Sequence, residues 1–474
     1  MTARKPTRAA AGEPLAVPID FARTSGGVFR RLHGVNKGPL AAGGLVDVSE
    51  GQRALDVPHT RLHDCHWPNP DVVDMHAVFP DLRADPRRAG SYDFARTDEY
   101  LAAVRATGAA QIIYRLGESI EHTRTKRFVH PPSDPEKWAA VALGIIRHYN
   151  EGWANGYRYA IRYWEIWNEP ENRPAMWTGT DEDYFRLYQT AARAIKSRYP
   201  NLLVGGPAVG NPGGFVAGAF QPSAFVTAFL AFCRRERAPL DFFSWHCYTT
   251  EPAELVARAV ALRRLLDAHG FAKTESHLNE WNYLPGNRWD PVARSASPGT
   301  RQRFYEEMGG APGAAFVAAA LLRLQDAPVD VCCLFHGEVG AFGLFTEHGL
   351  PTKSYHALRA FRELLDTPRR VETPGSLPAQ IAVGAGLAAD AQRAAVLVSN
   401  IAHPRAAFRL ELKNLPWGGV TEAELRLVDA AHDFQQVRPA DRLEPPGIFA
   451  FDLKAPAVAL VTLRPAETTK GAAR

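Results

Sequence analysis

Cysteine is scarce in this sequence, and its scarcity excludes one class of protein. Five cysteines, at positions 65, 233, 247, 332 and 333, occur among 474 residues. So small and odd a number argues against a disulfide-stapled scaffold and predicts reduced thiols. The adjacent Cys332 and Cys333 lie within an apolar run, and we interpret them as small core residues.

Long apolar runs and a strong excess of one charge are also missing. No segment is apolar enough to cross a bilayer, and the stretch MTARKPTRAAAGEP lacks the apolar part of a signal peptide. Lys and Arg number 55 against 51 Asp and Glu, without the basic stripe that nucleic-acid binding needs. The sequence therefore predicts a cytoplasmic protein that binds neither nucleic acid nor membranes, and it leaves the oligomeric state open.

The composition that remains is that of a large folded protein, because 46% hydrophobic residues suffice for two domains. From about residue 30 to 365, short apolar runs alternate with helical patterns, which is typical of βα units around a parallel sheet. Eight of these runs are predicted to be strands: 34–39, 59–64, 110–116, 163–167, 201–207, 240–246, 275–281 and 329–335.

Eight strands favour a closed (β/α)8 barrel, the TIM barrel, as the α/β fold of this region. Between the fourth and fifth, Thr180 and Asp183 stand at capping-box spacing, and the apolar residues that follow share one helical face. A doubly wound open sheet would also alternate strands with helices. No G-x-G-x-x-G follows any of these runs, however, which argues against that fold.

The pattern changes beyond residue 366. Segments such as FRLELKNL and AVALVTL alternate polar with apolar residues and have no helical period, so we predict a smaller C-terminal β-sandwich at 366–465. The segment PLAVPIDFA, within 14–30, is expected to add a strand to it, since the ends of a domain often lie close together. The barrel is placed at 31–365, and 1–13 and 466–474 are predicted to be flexible tails.

Polar side chains collect where the predicted strands end, which is where barrel enzymes carry their chemistry. Two of them, Glu169 and Glu280, fall about three βα units apart, so they would face each other obliquely across the barrel. Glycoside hydrolysis requires two such carboxylates, one as proton donor and the other as nucleophile or base. The other polar residues at these ends are Arg61, His63, Asn168, His246, Tyr248, Asn282, His336 and Glu338.

Segment 164–209, which begins WEIWNEPENRP, resembles the acid/base region of glycoside hydrolase family 39. This is the β-xylosidase and α-L-iduronidase family, within the clan of retaining (β/α)8 glycosidases. The later segments DFFSWHCY, LNEWN and GAFGLFTEHGLPTKSYHAL are similar to that family's later strands, in the same order. The resemblance covers roughly residues 30–360 and implies a barrel followed by a β-sandwich.

The resemblance also implies roles for individual residues. Glu169 would be the acid/base and Glu280 the nucleophile of a retaining exo-glycosidase that needs neither metal nor cofactor. Asn168 would bind the sugar 2-hydroxyl, Arg61 would keep Glu280 ionised, and Tyr248 would donate a hydrogen bond to Glu280. The substrate site is also expected to contain His63, His246, Asn282, Trp177 and Trp281, with the two tryptophans as wall residues.

The substrate is a carbohydrate whose sugar stays open at this point. A β-xylosidase is expected first, with α-L-arabinofuranose, β-galactose or a uronic acid as alternatives, because LNEWN stands where the xylosidases read closer to TEYN. The arginines of loop 284–303 would suit a uronic-acid carboxylate if one pointed inward. The alternative of another class is a non-catalytic carbohydrate-binding protein on the same fold.

Two further polar features have simpler interpretations. Glu165 is expected to be an inward-facing charge paired with an Arg or Lys, because an unpaired buried carboxylate is costly. The trio His63, Cys65 and His66 suggests zinc, but no second Cys/His pair stands at suitable spacing, so no metal site is predicted.

Overall fold

Eight short parallel strands close into a barrel in the computed structural model, which describes residues 13–65 and 71–467. The strands pair in chain order and the last pairs with the first. Every predicted run contributes one of them, which confirms the (β/α)8 fold. The strands are β1 (Gly34–Asn36), β2 (His59–Leu62), β3 (Gln111–Leu116), β4 (Tyr163–Ile166), β5 (Leu203–Val209), β6 (Phe242–Thr249), β7 (Glu275–Tyr283) and β8 (Val331–Leu334).

Helices surround this barrel. The helix predicted after β4 begins at the expected cap, where Thr180 accepts a hydrogen bond from the Asp183 backbone and Asp183 accepts one from the Thr180 backbone. The α-helices are α1 (Ser49–Leu55), α2 (Met75–Val78), α3 (Ala95–Ala106), α4 (Pro135–Asn150), α5 (Asp181–Arg198), α6 (Ala224–Glu236), α7 (Pro252–Ala268), α8 (Pro298–Gly309), α9 (Ala311–Arg323) and α10 (Lys353–Leu364). None of these helices combines the length and apolar character that a bilayer span requires.

The C-terminal part of the chain forms two sheets. The larger, antiparallel sheet contains Thr24–Val28, Arg369–Val371, Ile381–Leu387, Ala394–Asn400, Ala457–Pro465, Thr421–Val428 and Asp433–Gln436 in this order, with Asp441–Leu443 paired to Thr421–Val428. The smaller sheet contains Leu15–Asp20, Ala407–Lys413 and Gly447–Asp452. The strand Leu15–Asp20 pairs in parallel with Ala407–Lys413, so the segment before the barrel does contribute a strand to this sandwich.

The larger sheet lies between the smaller sheet and the barrel. Along Ala394–Asn400, Val396 and Val398 belong to the apolar core of the sandwich, whereas Ala395 and Leu397 belong to the core of the barrel. This two-sided burial follows from the alternation of side chains along a strand. The tails predicted at 1–13 and 466–474 fall almost wholly outside the described residues.

The inside of the barrel divides into two regions. At the amino ends of the strands, a barrel floor is closed by Ile113, Tyr163, Phe242, Val331 and Cys333. At the carboxyl ends, which we call the barrel mouth, the inward side chains are charged or polar. All five cysteines are free and buried, as expected for reduced thiols.

Candidate active site

One buried guanidinium organises the barrel mouth. Arg61, the third residue of β2, is fully buried. It donates from Nε to Glu165 at 2.7 Å, from Nη1 to Glu280 at 3.1 Å, and from Nη2 to Asn168 at 2.6 Å. Burial opposes the charge of Arg61, but the carboxylates of Glu165 and Glu280 outweigh burial and raise its pKa. Arg61 therefore links β2 to the ends of β4 and β7.

Glu165 holds this guanidinium from inside the barrel. Besides its contact with Arg61, it accepts a hydrogen bond from Asn279 Nδ2 at 2.5 Å. The prediction of an inward charge paired with an arginine is thus confirmed. Asn36, at the end of β1, accepts from Arg61 at 3.0 Å and donates to the Asn279 carbonyl at 2.8 Å. A buried ion pair with these added hydrogen bonds keeps one fixed geometry.

Glu280 lies on β7 and accepts two hydrogen bonds. Arg61 binds Oε2, and the Tyr248 hydroxyl donates to Oε1 at 2.5 Å. Burial raises the pKa of Tyr248 well above its usual value, so this phenol stays a donor. Burial likewise raises the pKa of Glu280, with help from the Glu169 charge, and these effects outweigh the opposing ones of His246 and Arg61.

Glu169 stands three residues beyond β4, in a turn. Its own φ of 44° and the φ of 70° at Trp167 bend the chain there. The Glu169 carboxylate contacts His246 Nδ1 at 2.8 Å and accepts from Asn172 Nδ2 at 2.9 Å. A Cβ atom on Gly210 would lie 2.4 Å from Glu169 Oε1, which is too close for two non-bonded atoms. Glycine at position 210 therefore avoids a clash with the carboxylate.

His246, on β6, lies between the two glutamates. Its Nδ1 is 2.8 Å from Glu169 and its Nε2 is 3.6 Å from Glu280. Carboxylate oxygens of the two glutamates lie within 4.8 Å of each other. Burial lowers the pKa of His246, but the two carboxylates outweigh burial and raise it. The hydrogen bond from His246 in turn lowers the pKa of Glu169 against the effect of burial, so the three groups titrate together.

The sequence profile of Glycosyl hydrolases family 39 matches residues 65–373 of this barrel. The chain belongs to this family. A β-xylosidase of Geobacillus stearothermophilus is 31% identical over 266 residues, which are 50% of this chain and 48% of that protein. The chain thus spans about half the length of the curated relatives it matches.

Solved structures share the fold over nearly the whole chain. A glucosidase from Croceicoccus marinus has a TM-score of 0.78 at 25% identity, with 96% of this chain and 100% of that chain covered. A monomeric β-xylosidase from Caulobacter crescentus has a TM-score of 0.68 at 18% identity, with 96% of this chain and 100% of that chain covered. At this identity the similarity supports a shared fold and nothing more.

Two tryptophans that we expected as wall residues of this family 39 site are buried in the core instead. The Trp177 indole is fully buried, donates to the Thr180 carbonyl at 3.0 Å, and packs edge-on against Trp167. Trp281 is equally buried and lies near Phe316 of α9. Because neighbours on a strand point to opposite faces, Glu280 in the mouth places Trp281 in the helix layer. Both expectations were wrong.

A different tryptophan lies at the rim of the mouth. Trp289, in the loop after β7, is 50% exposed. Its ring packs edge-on against Tyr248 at 4.9 Å, and Tyr248 donates to the carboxylate of Glu280. Trp289 was not among the predicted site residues, and the tertiary structure is what separates it from the buried tryptophans.

The remaining predicted residues have distinct partners. His63 is buried with Nε2 3.3 Å from Asp64, and its pKa is well below the usual value because of burial and the Arg61 charge. Asn282 donates to the carbonyl of Phe335 at 2.6 Å, so it ties β7 to the segment after β8. Both lie close to the mouth, and their roles toward a substrate remain predictions.

His336 and Glu338, the polar residues after the last predicted strand, are both buried. Glu338 pairs with Lys37, which follows β1, at 3.4 Å. Burial, partly offset by Lys37, raises the pKa of Glu338 to about 7. Lys37, Asn36 and Asn172 were not among the predicted site residues. A signal existed for Asn36, which is a polar residue within the first predicted strand, 34–39.

The zinc interpretation, which the sequence does not favour, rests on His63, Cys65 and His66. Cys65 is buried, and burial raises the pKa of its thiol to about 12. His66 lies outside the described residues. A second group of potential ligands, Asp74, His76 and Glu118, lies near the mouth, where Arg115 already supplies a positive charge 2.5 Å from Asp74.

The loop arginines weighed for a uronic acid bind other groups or face solvent. Arg288 pairs with Asp290 at 2.5 Å with both side chains exposed, and Arg301 donates to the Ala293 carbonyl at 2.8 Å. Arg294 is exposed. The loop therefore offers no guanidinium held toward the mouth among these three.

Proposed function

We propose that this protein is a retaining exo-glycosidase that hydrolyses β-xylosides. The separation of the two carboxylates carries the proposal, since oxygens of Glu169 and Glu280 lie within 4.8 Å of each other. Retaining enzymes hold these groups ~5 to 5.5 Å apart, whereas inverting enzymes need ~6.5 to 9.5 Å to admit a water molecule.

In the proposed first step, Glu280 attacks the anomeric carbon and the bond to the leaving oxygen breaks. A glycosyl ester forms on Glu280, and Glu169 gives its proton to the departing oxygen. The donors Arg61 and Tyr248 fix the position of the attacking carboxylate. In the second step Glu169 removes a proton from water, which attacks the same carbon and releases the sugar with its original configuration.

His246 reconciles the role of Glu169 as general acid with the lowered pKa of that carboxyl group. The general acid needs a raised pKa, yet the bond from His246 lowers that of Glu169. An imidazolium 2.8 Å from Glu169 carries the required proton one hydrogen bond away. We propose that this proton reaches Glu169 along that bond during the first step. The three groups thereby share the proton that the first step uses.

Asn168 is suited to the sugar 2-hydroxyl. Its Oδ1 accepts from Arg61, which fixes the orientation of the amide and leaves the Nδ2 group as a donor. A hydrogen bond to the 2-hydroxyl strengthens in the transition state of this reaction class.

A glucoside is the second candidate substrate, because the glucosidase from Croceicoccus marinus aligns over all of its length at 25% identity. The β-xyloside is preferred because two β-xylosidases, from Geobacillus stearothermophilus and Caldicellulosiruptor saccharolyticus, match the chain at 31% and 28% identity. We also propose a small glycoside or short oligosaccharide as the natural substrate.

Release of nitrophenol from a panel of aryl glycosides tests the function directly. The panel contains the β-xyloside, β-glucoside, β-galactoside, α-L-arabinofuranoside and α-L-iduronide, each assayed with the parent and with Glu280→Ala. Turnover of the β-xyloside that is lost in the variant is the expected result. If another glycoside of the panel were hydrolysed faster, its sugar would replace xylose as the proposed substrate. If none were hydrolysed, the result would contradict the mechanism.

A carbohydrate-binding protein without activity is separated from an enzyme by a second measurement. Calorimetric titration of xylose and xylobiose into Glu280→Gln, beside the parent assay, distinguishes the two. A binding protein would keep its affinity in the variant while the parent shows no turnover with any aryl glycoside.

A further inference from the structure

An uncharged hairpin stands between β5 and α6. Gly213–Val216 pairs with Ala219–Pro222, and residues 210–222 contain no Asp, Glu, Lys, Arg or His. At its tip Phe215 is 40% exposed and Val216 is 63% exposed, with Phe220 packed edge-on against Phe215 at 5.4 Å. Large apolar side chains exposed together, without a charge among them, are typical of a binding surface.

The base of this hairpin is fixed beside the acid/base glutamate. Gly210 lines the Glu169 carboxylate and lies three residues before the hairpin begins. The carboxylate of Glu171 accepts hydrogen bonds from the backbone N–H groups of Gly210 at 2.6 Å and Asn211 at 3.0 Å. The loop that carries Glu169 and the loop that carries the hairpin are therefore joined by these two hydrogen bonds.

We propose that this hairpin forms an aglycone subsite for an apolar, uncharged group such as an aryl or alkyl chain. The inference rests on the proposed function, in which Glu169 protonates the oxygen that departs with the aglycone. The aglycone therefore leaves on the side of Glu169 where the hairpin is anchored. The hairpin tip offers Phe215 and Val216 to the aglycone, without a charged side chain beside them.

A series of n-alkyl glycosides tests this subsite. Methyl, butyl, hexyl and octyl β-D-xylosides and β-D-glucosides share nearly equal leaving-group reactivity, so their kcat/KM values report contact with the chain. Each fully buried methylene contributes about a fourfold gain in affinity. Even with partial burial, we expect the ratio of kcat/KM for hexyl over methyl glycoside to be about tenfold or more.

Substitution at the tip locates the contact. Val216→Ser and Phe215→Ser are expected to reduce the hexyl-to-methyl ratio to within about threefold, since each exchanges apolar surface for a hydroxyl. Ile448→Ser is the matched control, because Ile448 is 53% exposed on the smaller sheet of the sandwich. The control should keep the ratio of the parent.

The outcomes separate this inference from the proposed function. Turnover with a ratio near one in the parent, or with an unchanged ratio in both hairpin variants, overturns the subsite alone. No turnover of any glycoside overturns the proposed function and the subsite together. If Val216→Ser changed the sedimentation coefficient and left the ratio intact, the hairpin would be a contact between copies of the chain, and the inference would be wrong.

Discussion

The floor and the mouth of the barrel are built from the same strands, yet the floor is packed mainly with apolar side chains and the mouth holds buried charges. On β6, Phe242 closes the floor and stacks on His277 at 4.4 Å, whereas His246 reaches the two glutamates four residues later. On β4, Tyr163 belongs to the floor, and Glu165 binds Arg61 two residues beyond it. A strand thus passes from apolar packing to buried charge within a few residues.

This difference teaches where stability and chemistry lie in the molecule. Burial of the apolar side chains at the floor stabilises the fold. Burial of the ions at the mouth removes their hydration, and only the contacts with their partners offset that cost. An apolar cluster would fill the mouth at lower cost. Such a concentration of buried charge at the barrel mouth therefore indicates function more strongly than stability.

The largest effect that would sharpen this contrast is expected from Glu280→Ala. Loss of the proposed nucleophile should reduce kcat/KM for the aryl xyloside on the order of 10⁴-fold or more, with little loss of thermal stability. Azide should restore activity by occupying the space of the carboxylate and give the glycosyl azide of inverted configuration. Glu307→Gln, at an exposed site, is the control, and a comparable loss there would contradict the assignment.

Glu169→Ala is expected to have a smaller effect that depends on the leaving group. General acid catalysis contributes about 10² to 10⁴-fold, so poor alkyl leaving groups should lose most and activated dinitrophenyl groups least. Azide should here yield the product of retained configuration, because the glycosyl ester on Glu280 still forms. Equal losses for all leaving groups would argue against an acid role.

Matched variants at the two ends of the barrel test the contrast itself. Phe242→Ala should cost about 3 to 5 kcal/mol of unfolding free energy through a cavity at the floor, with an unchanged pH profile. Arg61→Met should cost about as much, because it leaves buried carboxylates without their cation.

Arg61→Met, unlike Phe242→Ala, should also change the pH profile of kcat/KM. The Arg61 charge lowers the pKa of Glu280, so its loss raises that pKa further. Because Glu280 must be ionised to attack, the acidic limb of kcat/KM should move to higher pH. Urea unfolding and pH profiles provide both measurements, and a shifted profile in Phe242→Ala would break the distinction between floor and mouth.

The smallest effect is expected from Tyr248→Phe. In the parent, the hydrogen bond from Tyr248 lowers the pKa of Glu280. Without this bond the pKa of Glu280 should rise, and the acidic limb of kcat/KM should move to higher pH. A hydrogen bond to a charged group corresponds to a loss of about 10 to 100-fold in kcat/KM. Tyr283→Phe is the control, because Tyr283 donates to Glu307 at 2.8 Å. An unshifted profile in Tyr248→Phe would exclude this role.

Much of the fold could be predicted because local patterns and global architecture agree. Every predicted run contributed a barrel strand, and the capping box at Thr180 and Asp183 marks the start of α5 by a contact within four residues. The residues of the candidate site were predictable to the extent that strand ends converge in a barrel.

The tryptophans show where such reasoning fails. Trp177 and Trp281 were predicted to line the sugar site, but both are buried, whereas Trp289, which was not predicted, is exposed. For Trp281 the alternation along β7 would have given the right answer from the position of Glu280. For Trp177 no local rule applies, because its burial depends on Trp167 and on the helix that follows.

The sequence by itself determined the strands, the helices and the presence of two glutamates at strand ends, because these depend on periodicity and on neighbours along the chain. Only the tertiary structure decided that Arg61 touches Glu165, Glu280 and Asn168 together, and that His246 lies between two carboxylates. These contacts join residues from different strands. Their distances depend on how the barrel closes, a property of the whole chain that no single segment contains.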